Sequence, residues 1–600
     1  MKLTALFTLG LAAPALALAA SPAVPTLPAS AVHPGQKAVV RTVFAGDSVE
    51  TFDAEIVGVL PGGRAEGDLI LARATSPRVE RTGVAQGMSG SPVYVDGRLI
   101  GALSSGWAFS REPVFGITPI AEMLAVLDEP ESPIHDGTAG PVGVDPGPGA
   151  RARFREFRWA LEDTTAPPAE PARDARRALL PLPLVVSGAN PAILGPLREL
   201  FEPEGFAVVP GGRDRTPSAQ RPSLEPGDAV AVDILRGDLN LSALGTVTYR
   251  DGDRVLLFGH PFFQSGEVRL PLSTARISTV LASVNTSFKL GTPGTPVGTA
   301  TQDRRSAVAG RLGSSPKLLP LRVTVRGAGP RDQHFAFETV EDRSLLAQLV
   351  SVAALNSLLE SGGTGVMQTL RWSLAIWKEG RVLRVGDVAA GENPLADVAA
   401  TLGTPVRFLA GNPYERFHAD SLVVELETRP GRAQSTLRSV SLARPSVRPG
   451  GVARIRAVLE RWRGERRTVT LDVPVPDELP DGRYVLSVSG GLEFDRFLAA
   501  RLPARFRTVS FEDAWTRLAL ARHSNMLHAG IWARAPEVSV DGEDLPELPN
   551  SALAILASGQ QAGDRARRGD WALMQEVTRS MEDVVRGEVV LELVVDRLAP

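Results

Sequence analysis

The chain contains no cysteine. That excludes disulfide staples, a thiol nucleophile, thiolate metal ligation and a lipid-modified N-terminal cysteine, and it leaves burial alone to hold the fold. Neither sign of charge prevails: 65 Lys and Arg stand against 68 Asp and Glu, for a net −3. No global basic field is available to hold nucleic acid. Beyond the first twenty residues no hydrophobic run approaches the roughly 20 residues that a bilayer-spanning helix needs. Metal-ligand spacing is missing too. His523 and His528 lie five apart with no acidic partner at ligand spacing, and Gly362-Gly363-Thr364-Gly365 lacks the Lys-Ser/Thr of a phosphate-binding loop. No metal and no cofactor is expected.

Among the features present, the first is an export signal. Lys2 precedes a short apolar core over residues 3–18, and Ala17-Leu18-Ala19 fits a small-x-small cleavage site. Residues 1–20 therefore read as a signal peptide. The mature chain is expected to be exported, periplasmic or extracellular, and not membrane-spanning after cleavage. Six hundred residues suggest three to five domains. The 58 glycines and 48 prolines fit many short strands joined by turns.

The expected fold is mainly β and multidomain. Residues 32–128 read as a compact β segment punctuated by Pro61-Gly62-Gly63 and Asp96-Gly97; the second pair marks a type I′ hairpin. Residues 129–180 are rich in Pro, Gly and charge and read as a linker with a short helical stretch over 154–161. Residues 181–330 return to β patterning. Residues 331–432 read as α+β, with an amphipathic helix over 343–360. Residues 433–506 alternate like a β-sandwich module, and 507–600 mix helix and strand.

The densest chemistry lies in Gly87-Met88-Ser89-Gly90-Ser91-Pro92. A nucleophilic serine needs an exposed Oγ on a tight turn and backbone N–H groups aimed at the developing oxyanion. Glycines on both sides of Met88-Ser89 permit that turn. The spacing favours Ser89 over Ser91, which reads as a structural hydroxyl.

This layout resembles the Gly-x-Ser-Gly-Gly-Pro segment of trypsin-like double β-barrels. By that likeness the N–H groups of Gly87 and Ser89 form the oxyanion hole, and Leu103, Ser104 and Gly106 lie on the edge that binds an extended peptide. The wider stretch Thr82–Tyr94, with Thr42-Val43-Phe44, Glu50–Leu60 and Phe115–Ile120, resembles the SpoIVB peptidase family. Gly245-Thr246-Val247-Thr248-Tyr249 and Phe258-Gly259-His260-Pro261 resemble the segment that carries the family's catalytic histidine. Two departures stand out. Ser89 precedes His260, the reverse of the sporulation peptidases, and Ser76-Pro77-Arg78 stands where the family has Asp-Pro-Arg. Asp303 is the substitute acid to test, with Asp53 and Asp68 behind it.

The resemblance implies a trypsin-like double β-barrel assembled from two blocks. It further implies a serine endopeptidase with Ser89 as nucleophile and His260 as general base, acting on a protein or peptide with narrow or self-cleaving specificity. The other reading is a catalytically inactive peptidase-fold scaffold or binding protein of the cell envelope.

Overall fold

The computed structural model describes residues 24–130, 180–212 and 224–599, apart from 65–66, 108, 363–366, 503–507, 509, 535–536, 541–542, 546–550, 552–565 and 570. The signal segment and the helical stretch expected over 154–161 lie outside the described residues. No helix among the described residues is long and apolar enough to cross a membrane.

The first barrel comprises β1 (Lys37–Val43), β2 (Val49–Arg64), β3 (Gly67–Ala74), β4 (Pro92–Val95), β5 (Arg98–Gly106) and β6 (Val114–Pro119). They close in the order β1-β2-β3-β6-β5-β4, every pair antiparallel. Alternation drives this. Ala38, Val40, Phe52, Ala54 and Ile56 point inward and are fully buried, while the residues between them face out. Asp96 and Gly97 have φ of 49° and 73°, the two positive values that a type I′ turn between β4 and β5 requires. A short helix, α1 (Pro77–Thr82), precedes the Ser89 loop, and α2 (Ile120–Leu124) follows β6.

After β7 (Leu182–Ser187), α3 (Leu194–Phe201) and β8 (Phe206–Pro210) come six more strands. They are β9 (Ala229–Gly237), β10 (Asn240–Asp251), β11 (Arg254–Leu257), β12 (Gly266–Leu281), β13 (Phe288–Asp303) and β14 (Val308–Leu312). Their pairings run β9-β12-β13-β14-β11-β10 and return from β10 to β9, a second closed antiparallel ring of six. The barrels face each other across two apolar seams. Leu99, Ala102 and Met123 share one cluster with Tyr249, Leu256 and Ala309, and Val43 shares another with Ala231, Leu244 and Ile277. Gly46 and Ile277 also exchange both backbone hydrogen bonds, at 2.7 and 2.9 Å.

The remaining strands depart from the modular expectation. β15 (Leu319–Arg326) and β16 (Gln333–Thr339) continue from β9, and β17 (Gln368–Lys378), β18 (Arg381–Ala389) and β19 (Ser421–Pro430) extend the same sheet. The α+β stretch is thus continuous with the second barrel by hydrogen bonding. Helix α4 (Leu346–Glu360) lies over it and is buried on every face as far as Leu358, so it is a core helix and not an amphipathic one. The C-terminal sandwich also differs. Its four-stranded sheet over 434–474 takes Val584–Arg586 as an edge, and the facing sheet recruits Met526–Ala533, Ala572–Ser580 and Glu588–Val595. A sandwich ending at 506 would leave Ile455, Leu471 and Leu486 exposed; Leu527, Ile531 and Leu593 cover them.

Candidate active site

The Ser89 loop runs from α1 to β4 and is fixed through its carbonyls. Thr246 N–H donates to Ser89 O (2.8 Å), Thr246 Oγ1 to Gly87 O (3.1 Å) and Thr248 Oγ1 to Gly90 O (2.7 Å). All three donors come from β10, so the second barrel holds the Ser89 loop of the first. Gly90 (φ +94°) packs so closely there that a Cβ would stand 2.0 Å from Thr246 O. The remaining turn bonds are Met88 N–H to Ala85 O (3.0 Å), Ser91 N–H to Met88 O (2.9 Å) and Gly90 N–H to Leu103 O (2.8 Å). Among the described residues, the N–H groups of Gly87 and Ser89 meet no acceptor. Two free N–H donors on alternate residues, flanking the side chain of Ser89, are the arrangement that binds an oxyanion.

His260 follows β11 on Phe258-Gly259, both at positive φ (69° and 70°). Gly259 is clamped by Thr118 Oγ1, 2.6 Å from its carbonyl, and the His260 ring stacks on Phe258 at 6.3 Å between centroids. Although 171 residues apart, His260 Nε2 and Ser89 Oγ lie 3.0 Å from each other. His260 Nδ1 is 2.8 Å from the Pro261 carbonyl, which can only accept. Nδ1 therefore carries the proton, and Nε2 is left to accept from the serine hydroxyl, the tautomer a general base requires. Burial lowers the imidazole pKa to about 4, against an upward pull from the Pro261 bond, so the ring is neutral at neutral pH.

Asp303 does not stand behind that ring. Its Oδ1 accepts from Phe262 N–H (2.8 Å) and its Oδ2 from Phe263 N–H (2.7 Å) and Ser265 N–H (3.1 Å). The turn after Pro261 leaves these N–H groups without strand partners, and the fully buried carboxylate satisfies them. Burial pushes its pKa up, opposed by the backbone N–H groups of Ser265, Phe262, Phe263 and Gln264. Asp303 thus builds the loop carrying His260, and the group on Nδ1 is a neutral carbonyl. The other acids are no closer to this role. Asp53 is exposed, and Asp68 accepts from Gly62 N–H (3.1 Å). Ser76 Oγ accepts from Asp53 N–H (2.8 Å).

The proposed substrate edge is in place but not open. Leu103, Ser104 and Gly106 are buried on β5, and Ser104 O accepts from Leu180 N–H (3.2 Å). Ser89 is 0% and His260 4% exposed. Ser91 Oγ donates to Thr42 Oγ1 (3.0 Å).

Sequence reasoning did not single out Lys289. Fully buried on β13, its Nζ donates to Thr42 Oγ1 (2.7 Å), and its backbone N–H donates to Gln86 O (2.9 Å). Burial lowers its pKa to about 7. Nor did sequence reasoning give roles to the Thr246 and Thr248 hydroxyls or the Pro261 carbonyl. The Thr-Val-Thr alternation, which puts both hydroxyls on one face of β10, was the available signal for the first two. Among the described residues no group of three or more His, Asp or Glu could hold a metal.

No curated protein and no solved structure matches the chain. One family model does, that of SpoIVB peptidase S55, over residues 16–124. The match spans the first barrel and the Ser89 loop and stops short of His260. The part of the chain that carries Ser89 is thus similar to the SpoIVB peptidase S55 family.

Proposed function

We propose that the protein is an exported serine endopeptidase of narrow specificity, built on a trypsin-like double barrel, with Ser89 as nucleophile and His260 as general base. The observation that carries this reading is the 3.0 Å approach of His260 Nε2 to Ser89 Oγ from opposite barrels. Neutral His260 removes the hydroxyl proton as Oγ attacks a peptide carbonyl. The free N–H groups of Gly87 and Ser89 receive the oxyanion. His260 then protonates the leaving amine, and water releases the acyl group by the same steps in reverse. The substrate is a protein segment extended along Ser104 to Gly106. No cofactor enters.

The Pro261 carbonyl fixes the tautomer but brings no full charge to stabilise the imidazolium. Turnover is therefore slow relative to a carboxylate-backed triad. That neutral partner and the burial of Ser89 are also what favours the second reading, an inactive envelope scaffold. Incubation with a mixture of unfolded proteins, read as new peptide termini by mass spectrometry beside Ser89→Ala, separates the two. New termini that depend on Ser89 support the peptidase. Identical digests from both proteins at long incubation favour the scaffold.

A further inference from the structure

β5 carries a β-bulge between Leu103 and Ser105 in its ladder with β6. Ser104, the bulged residue, has its carbonyl on the N–H of Leu180. The neighbouring carbonyl, Leu103 O, holds Gly90 N–H, so Leu180 occupies the place on this edge directly beside the nucleophile loop. Its side chain is 3% exposed and belongs to the apolar cluster that contains Met88 and Leu103. A Cβ on Gly106 would stand 3.1 Å from Leu180 Cδ1. Three residues on, Pro183 covers the other flank: a Cβ on Gly87 would stand 3.3 Å from its Cγ. The run Leu180-Pro181-Leu182-Pro183 thus leads from the Ser104 edge into the start of β7, where Pro183 lies beside Gly87.

We infer that residues 180–183 occupy the substrate groove in cis and keep the site closed, and that the segments cleaved carry a leucine-like apolar side chain on the acyl side of the scissile bond. This rests on the peptidase reading of Ser89 and His260. A peptide held on a strand edge by its backbone N–H, with its side chain in an apolar pocket, shares those two contacts with a bound substrate, while the Leu180 carbonyl makes no hydrogen bond to the N–H groups of Gly87 and Ser89. The bond that follows Leu180 runs into Pro181. Proline has a ring carbon where other residues have N–H, and it restricts the backbone of the residue before it. It crowds the side from which His260 must protonate the leaving nitrogen, so this segment is held without being cut.

Replacing that proline turns the occupant into a substrate. In Pro181→Ala, Ser89 Oγ attacks the Leu180 carbonyl carbon and His260 takes the hydroxyl proton. The C–N bond that follows Leu180 breaks as His260 returns the proton to the nitrogen of the new alanine. Water then hydrolyses the ester, leaving a Leu180 carboxylate and free Ser89.

The test compares full-length wild type, Leu180→Ala and Pro181→Ala, each checked for folding by circular dichroism. They are followed by the rate of fluorophosphonate labelling and by intact mass. Leu180→Ala should label at least tenfold faster than wild type. Pro181→Ala should break after residue 180, and Ser89→Ala in that background should stay whole. Either result supports occupancy in cis. Equal labelling of wild type and Leu180→Ala, with an intact Pro181→Ala chain, overturns it and leaves Ser89 standing as a nucleophile. Absence of label on all three folded proteins overturns the peptidase reading and the inference with it.

Discussion

Asp303→Ala tests how the His260 loop is held. The substitution strips the acceptor from three backbone N–H groups, those of Phe262, Phe263 and Ser265. A buried donor left unsatisfied costs about 1–3 kcal/mol, so three cost roughly 3–9 kcal/mol. A cavity of about 390 Å³ lined by Glu122, Gln264, Asp303 and Arg304 lets water reach the site, which sets the expectation at the low end, about 3 kcal/mol. The loop carries His260, and displacement of a catalytic group by about 1 Å costs on the order of 100-fold in rate. Labelling of Ser89 should therefore fall with stability. Asp303→Asn should not rescue: its Oδ1 can still serve Phe262, but its amide nitrogen would face the N–H groups of Phe263 and Ser265. Urea unfolding followed by tryptophan fluorescence, beside fluorophosphonate labelling, reads both effects. A relay carboxylate would behave differently, since Asn would then keep stability and lose rate alone. That outcome, or an Asp303→Ala protein within about 1 kcal/mol of wild type, would refute the reasoning.

Other outcomes follow from the same geometry. Gly90→Ala places a Cβ 2.0 Å from Thr246 O and 2.6 Å from Phe258 N, at φ +94°; the β10 contact must open, and labelling should drop at least ~100-fold while far-ultraviolet circular dichroism stays near wild type. His260 has its pKa lowered to about 4 by burial. The neutral base, and the stability linked to it, are complete above the ordinary pKa of about 6.5 and are lost as pH falls through about 4. Labelling should be flat from pH 8 to 5 and halve near 4, whereas a midpoint near 6.5 would contradict a buried base. Lys289 has its pKa lowered to about 7. Between pH 7 and 10.5 the unfolded chain binds the extra proton, so stability should rise with pH by up to ~1.4 kcal/mol per unit. Lys289→Met should flatten that rise in urea titrations, and an unchanged slope would show the lysine charged in the folded state.

The turn chemistry was legible because it is local. Glycines around Met88-Ser89 and the Asp96-Gly97 pair act through φ, which the residue itself decides. The mainly β character was likewise written in alternation, as in β1 and β2. What escaped depends on neighbours far along the chain. Asp303 reads as a free acid until the loop over 262–265 is seen to leave three N–H groups unpaired. Helix α4 reads as amphipathic from Leu345, Leu346, Leu349, Val352, Leu355 and Leu359 at helical spacing, yet the polar Gln348, Asn356 and Ser357 are buried as well; Asn356 Nδ2 bonds Gly188 O at 3.1 Å. The sandwich boundary failed for a related reason: strands over 584–595 pair with residues 99 to 150 positions earlier, a contact that periodicity cannot announce. Lys289 carried no signal at all, since one lysine among alternating residues reads as solvent-facing.

The central claim is that Ser89 and His260 work as a nucleophile–base pair across the two barrels. Treatment of the purified protein with a fluorophosphonate, followed by peptide mapping, tests it most directly. The account predicts one adduct, on Ser89, absent from Ser89→Ala and reduced at least ~100-fold in His260→Ala. An adduct of equal rate in His260→Ala, or the absence of label on both folded wild type and folded Leu180→Ala, would contradict it.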